Sequence, residues 1–200
     1  SDTEIVDQQI QDVDVESLPD PASPDEVAEP QAPTGAEATD DPANVIVYAD
    51  PACNHCAAFE ASYGSLLEEK VASGDITLEY RTVGYLDRAS GSNYSSRAAN
   101  MLACVADEDA TKYFDVAAAL YAGQAEGERS DDELIEFAGS FDVDVASCVD
   151  ENKYRPFVAF TTKQAQVDQI RGTPSVWVEG QDWFSSEEQD FAKFLESQLN

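Results

Sequence analysis

The feature that most constrains this chain is the pair of cysteines in Cys53-Asn-His-Cys56, because of what flanks it. Upstream, Asn44-Val-Ile-Val-Tyr-Ala49 is a short, apolar, β-branched run, the composition of a buried strand. Downstream, Cys56, Phe59, Tyr63, Leu66 and Leu67 recur at three- and four-residue steps, which lays an apolar stripe along a helix. Gly74 is a plausible stop for that helix. Ile76-Thr-Leu-Glu-Tyr-Arg-Thr-Val83 alternates and is β-rich, so it reads as a second strand. Strand, helix and strand in this order predict a βαβ unit with parallel pairing.

That context gives the cysteines their chemistry. A sulfur at a helix N-terminus faces free N–H groups and the positive end of the helix dipole, and both favour thiolate over thiol. His55 adds a donor and, when protonated, a nearby positive charge. Such surroundings lower a cysteine pKa to roughly 3.5–7.5, and a stable thiolate is a good leaving group in disulfide exchange. Cys53, at the helix start, is expected to be the exposed sulfur, with Cys56 one turn further in as its buried resolving partner. Two other readings stand beside this one. Zinc held by Cys53, His55 and Cys56 would need adjacent His55 and Cys56 on one tetrahedral ion, with no second close Cys/His pair following. A plain structural disulfide would make the strand-to-helix placement a coincidence. The expectation is no metal and no bound cofactor.

Two hundred residues suit one compact domain with a tail, and 41 acidic residues against 11 Lys and Arg give a formal charge of −30. That excludes a nucleic-acid binder, which needs basic patches, and argues against charge-driven docking on anionic lipid. No run of about 18 apolar residues exists to span a bilayer, and no basic segment with an apolar stretch opens the chain, so any export signal is expected to have been removed or never present. Residues 1–43 hold 13 acids, six prolines and no Lys or Arg, and read as a solvated, self-repelling extension or linker. Ile10, Val13 and Val15 partly alternate, which allows a short edge strand.

From about Ser92 to Gln169 the pattern predicts helices over 93–107, 109–122, 131–139, 143–151 and 155–170, with Ser130 and Glu133 as a capping box. Within it, Cys104 and Cys148 fit a structural disulfide between inserted helices; buried free thiols or a second exchange pair are the other readings. Gly172-Thr-Pro-Ser175 leads into a strand over Pro174–Glu179. Gly180-Gln-Asp is read as a turn into Trp183-Phe184, and a last helix is expected over 187–199.

With these motifs in hand, the chain resembles the DsbA-like thiol-disulfide oxidoreductases of the thioredoxin superfamily. The resemblance rests on Val45 through Cys56, on the helical block, and on Arg171-Gly-Thr-Pro-Ser-Val-Trp-Val178. It implies an α/β fold, the thioredoxin fold with an inserted helical domain: 44–91 as its first part, 92–165 as the insertion, 166–200 as its second part. It implies Cys53 as attacking sulfur, Cys56 as resolving sulfur, His55 as tuner, and Thr173 and cis-Pro174 beside the pair. Cys104 and Cys148 also resemble paired positions in relatives. The resemblance further implies an oxidase that gives its disulfide to unfolded, thiol-containing exported proteins, reoxidised by a membrane quinone-linked protein. The expected setting is extracytoplasmic and bacterial, in the periplasm or at the envelope exterior, with 1–43 as a possible tether and the chain a monomer. A reductase, an isomerase, or a non-catalytic binding module with a structural CxxC are the alternatives. Two departures stand out. Asn54 occupies a position where many relatives carry proline. Val47 lies where relatives often have a buried acid that accepts a proton, leaving Glu79 as substitute.

Overall fold

The computed structural model describes residues 32–39 and 42–199. Ala43–Ala49 forms β1, Asn54–Ala72 forms α1 and Ile76–Thr82 forms β2. The two strands pair in parallel, from Ala43↔Ile76 to Ala49↔Thr82, as a strand–helix–strand crossover requires. Helices α2 (Tyr94–Glu108), α3 (Tyr113–Ala122), α4 (Asp131–Gly139), α5 (Ala146–Asp150) and α6 (Arg155–Val167) follow. The chain then returns as β3 (Ser175–Val178) and β4 (Gln181–Asp182), which add antiparallel beside β1 and give the order β2-β1-β3-β4. Phe191–Gln198 is α7. This is the expected α/β architecture with a helical block between β2 and β3.

β1 is almost wholly apolar because both faces of the sheet are covered. Val45, Val47, Val176 and Val178 pack against α1 and α7 through Phe59, Leu67, Phe191, Phe194 and Leu195. On the other face, Ile46, Tyr48 and Trp177 meet Ala165 of α6, and Ile170 and Ala36. Burying each such large side chain contributes about 1.5–3 kcal/mol. The helical block has its own core, built on Met101, Leu102, Val116, Leu120, Leu134 and Val149. There Cys104 on α2 is bonded to Cys148 on α5 across 44 residues.

Several element ends differ from the sequence-based expectation. α3 starts at Tyr113 rather than 109, because the Asp109 side chain takes the Thr111 N–H and caps a separate 3-10 turn, Ala110–Lys112. α5 is shorter than 143–151, since Asp142 adopts a positive φ of 63° and leaves Val143 and Val145 buried in a loop. α6 stops at Val167, with Gln169 at φ 58°. The hairpin turn is Glu179-Gly180, both at positive φ, so the returning strand is Gln181–Asp182 and not Trp183-Phe184. α7 begins at Phe191 because Asp190 caps it, accepting the Ala192 N–H at 3.0 Å.

Residues 32–39 do not behave as a solvated linker. Ala36 is buried, Thr34 bonds Asp168, Thr39 bonds Glu179, and Asn44 Nδ2 donates to the Gly35 carbonyl at 2.8 Å. The remaining linker expectation and the short strand at Ile10, Val13 and Val15 lie outside the described residues.

Candidate active site

The C-terminal end of β1 delivers the chain into a turn held by a buried carboxylate. Asp50 is fully buried and accepts from the Ala52 N–H (2.9 Å), the Leu86 N–H (2.9 Å) and the Ser95 hydroxyl (2.6 Å). One side chain thus ties the turn, the segment after β2 and the start of α2 together. Burial pushes its carboxyl above the ordinary range, and those three donors oppose the shift. The Cys53 N–H closes the turn on the Asp50 carbonyl at 3.0 Å.

Cys53 is the N-cap of α1, in extended conformation, and its sulfur accepts the Cys56 N–H at 3.2 Å. The cap position is usually taken by an oxygen side chain; here a sulfur meets the same unpaired helix N–H groups. Both cysteines are unbonded. The Cys53 thiol is lowered to about 6, chiefly by a hydrogen bond from Cys56; burial opposes, and Thr173 and the N–H groups of Cys56 and His55 assist. Cys56 moves the opposite way, held protonated by its bond to Cys53 and by burial. One sulfur is poised as an anion and its neighbour keeps the proton.

The expected exposure of Cys53 is corrected by the structure. It is 6% exposed and Cys56 is 2% exposed. The loop before β3 covers the first sulfur, with the Thr173 carbonyl 3.6 Å from Cys53 Sγ, and the Thr173–Pro174 peptide bond is cis. The structure therefore brings Cys53, Cys56, Thr173 and Pro174 together. The His55 side chain is exposed on the first turn of α1. The Cys104–Cys148 bond belongs to the separate core of the helical block.

A family model described as Thioredoxin matches residues 31–197. The chain belongs to the thioredoxin family. Two Mycobacterium tuberculosis structures are similar to it. The reduced disulfide bond oxidoreductase DsbG is 28% identical at a TM-score of 0.68, over 88% of this chain and 91% of that one. Oxidised DsbA is 27% identical at a TM-score of 0.68, over 85% and 92%. Bacillus subtilis BdbD, 19% identical at a TM-score of 0.66 over 90% and 98%, shares the fold. The fold is thus that of a DsbA-like thiol-disulfide oxidoreductase. Among curated proteins, the serine/threonine-protein kinase PknE of M. tuberculosis is 31% identical over 105 residues, 48% of this chain. The match covers about a fifth (19%) of that relative's length.

For this thioredoxin-family site, two further polar residues escaped the sequence reading. Gln124, just after α3, donates its Nε2 to the carbonyls of Pro51 (2.7 Å) and Cys53 (3.0 Å), fastening the helical block to the active turn. No local pattern marks a glutamine in a loop as a clamp. Glu60 is buried on α1, where its place four residues after Cys56, beside the apolar stripe, was the available signal. Glu79, expected as substitute acid, is exposed and paired with Arg81 at 2.8 Å, because strand alternation turns it away from the α1 face that holds Leu78 and Tyr80. Val47 is wholly buried and apolar. Ala52 and Tyr85, on either side of the turn, are half-buried; Ala52 packs on the helical core and Tyr85 on the α6 side of the sheet.

Proposed function

We propose that the chain is a disulfide-forming oxidase, with Cys53 and Cys56 as its exchanging pair. The observation that carries this reading is the N-cap sulfur: a thiol lowered to about 6 beside a neighbour held protonated. A low-pKa thiol is stabilised as the reduced, anionic form, so its disulfide readily accepts electrons. In the forward reaction a client thiolate attacks Cys53 Sγ, the Cys53–Cys56 bond breaks, and its electron pair leaves on Cys56, which takes up a proton. A second client thiolate then attacks the client sulfur of the mixed disulfide, and Cys53 departs as a thiolate. The client dithiol loses two electrons and the enzyme gains them.

Thr173 and Pro174 line the place where an extended client lies, and backbone hydrogen bonding there suits sequence-tolerant binding of unfolded chains. His55 adds a donor beside the outgoing thiolate. A Cys104–Cys148 bond suits an oxidising compartment, which supports an extracytoplasmic setting. Recycling then falls to a membrane quinone-linked partner. No described helix is long and apolar enough to cross a membrane. We assign the working unit as a monomer.

The test has two parts. Oxidised protein mixed with an unfolded dithiol peptide should convert the peptide to its disulfide one for one, and Cys53→Ser should convert none. Equilibration with glutathione then sets the direction. A potential well above about −180 mV supports the oxidase, whereas one near about −270 mV makes it a reductase. Repair of a scrambled disulfide substrate without net oxidation would identify an isomerase. No exchange at all would leave a binding module.

A further inference from the structure

One segment that the exchange chemistry does not use lies against the start of the loop that covers Cys53. Residues 33–36 form a turn, closed by the Ala36 N–H on the Pro33 carbonyl at 2.9 Å. Gly35 takes the third place of that turn at φ 81°, a conformation that L side chains rarely adopt. It also passes close to Arg81 of β2: a Cβ at Gly35 would stand 2.8 Å from the guanidinium. Pro33 and Ala36 are buried, Ala36 among Ile46, Tyr48, Ile170 and Trp177. Thr34 stays exposed between them, and both its polar groups reach one carboxylate. Its hydroxyl donates to Asp168 Oδ1 at 3.0 Å, and its N–H donates to Oδ2 at 3.3 Å.

Asp168 is where that loop begins. It follows Val167, the last residue of α6, and the chain then runs through Gln169 and buried Ile170 to the cis Thr173–Pro174 bond. The carboxylate takes two more donors: Gln164 Nε2 from α6 at 3.2 Å and the Tyr48 hydroxyl from β1 at 3.5 Å. Tyr48 is itself held by Arg81 Nη1 at 2.7 Å. The same Tyr48 pairs in register with Ser175, the residue after Pro174. Both ends of the loop therefore meet on Tyr48, and Thr34 grips the Asp168 end from a segment 134 residues earlier. Between these ends, the Thr173 carbonyl stands 3.6 Å from Cys53 Sγ.

We infer that the 33–36 turn moors this loop: through Thr34 and Asp168 it fixes where Thr173 and Pro174 stand, and so how tightly an extended client is held against Cys53. Thr34 and Asp168 are positioning residues, since neither touches a reacting sulfur. Their effect reaches the client through backbone hydrogen bonds, which weaken steeply when donor and acceptor are misaligned and so need a fixed loop. It reaches Cys53 through Thr173, which helps to hold that thiol low. A mooring of this kind serves bound substrate and transition state alike, so its loss raises KM more than it lowers kcat.

The mooring acts on the reaction only if Cys53 and Cys56 are the exchanging pair, the reading on which it rests. Its test uses the full chain oxidising an unfolded dithiol peptide. Asp168→Ala should raise KM by about fivefold or more while kcat changes by less than about twofold. Reduced Cys53 should titrate at higher pH in that variant than in the wild type. Thr34→Val keeps the shape and the N–H but loses the hydroxyl, so it should raise KM by about two- to threefold, the worth of one hydrogen bond. Thr34→Ser, which keeps the hydroxyl, should restore the wild-type KM. Added to Asp168→Ala, Thr34→Val should change KM no further, as expected of two residues that act as one. Thr34→Val and Thr34→Ser carry the test if Asp168→Ala fails to fold. A lowered melting temperature with KM and the Cys53 titration unmoved overturns the mooring and leaves a purely structural tie. Additive effects of the two substitutions on KM overturn it as well. Failure of the wild type to oxidise the peptide overturns the exchange reading instead, and the mooring falls with it.

Discussion

At the scale of single residues, the site depends on where one proton resides. The Cys53 thiol is lowered to about 6, mainly by the bond from Cys56, against about 8.5 for a free thiol. A group whose folded pKa is depressed contributes stability above its unfolded pKa and loses it as pH falls through the folded value. The stabilisation of the reduced form by the Cys53 thiolate should therefore be complete above about pH 8.5 and gone below pH 6. Thiolate absorbance of reduced protein should titrate near pH 6, and the melting-temperature difference between reduced and oxidised protein should shrink over the same window. A midpoint near 8.5 would contradict the N-cap account. Thr173→Val removes one donor to that sulfur, so the same titration should move upward. Cys53 and Cys56 were legible because strand, CxxC and helix are neighbours in sequence. Glu60 was not, because its hydrogen-bond partner Tyr80 comes from another element.

At the scale of elements, the strand–helix–strand unit was readable from periodicity, and its parallel register followed from the crossover. The ends of elements were harder. The α3 start, the hairpin turn and the α7 start were each decided by one side chain or one positive φ: Asp109, Glu179 and Asp190. Such choices are nearly invisible to a hydrophobic pattern, which averages over turns. The joint between the sheet and the helical block is one of these local devices. Gln124→Ala would leave the Pro51 and Cys53 carbonyls without this donor, which should cost about 1–3 kcal/mol in urea unfolding. The amides of the active turn should also exchange faster with deuterium, and unchanged exchange would mean that Gln124 is no clamp. Replacing Cys104 and Cys148 together by alanine opens a 44-residue loop and should lower stability by about 4 kcal/mol on the chain-entropy account. The Cys53 titration should stay put, because the bond lies in the core of the helical block rather than at the turn.

At the scale of the whole molecule, the dominant quantity is a formal charge of −30. The described cations do little to offset it locally, since Lys70, Arg81, Arg97, Arg129 and Lys153 each sit within 4 Å of an acid. A net charge of this size sets up a negative field around the molecule that decays over about 30 Å at 0.01 M salt and about 10 Å at 0.1 M. Near the sulfur the requirement is opposite: local N–H groups, not distant charge, favour the anion, and their short range lets them win there. The distant field acts instead on what approaches. An unfolded client must bring its own thiolate to Cys53, and a client with net positive charge arrives attracted while an acidic one arrives repelled. Two dithiol peptides that differ only in flanking Lys or Glu should separate in their rate of oxidation by about tenfold or more at low salt, the lysine peptide being faster. Added salt should slow the lysine peptide and speed the glutamate peptide until the two converge, whereas dependence on local contacts alone would leave their ratio fixed. Rapid-mixing measurements of the first exchange step, at several ionic strengths, decide between these outcomes.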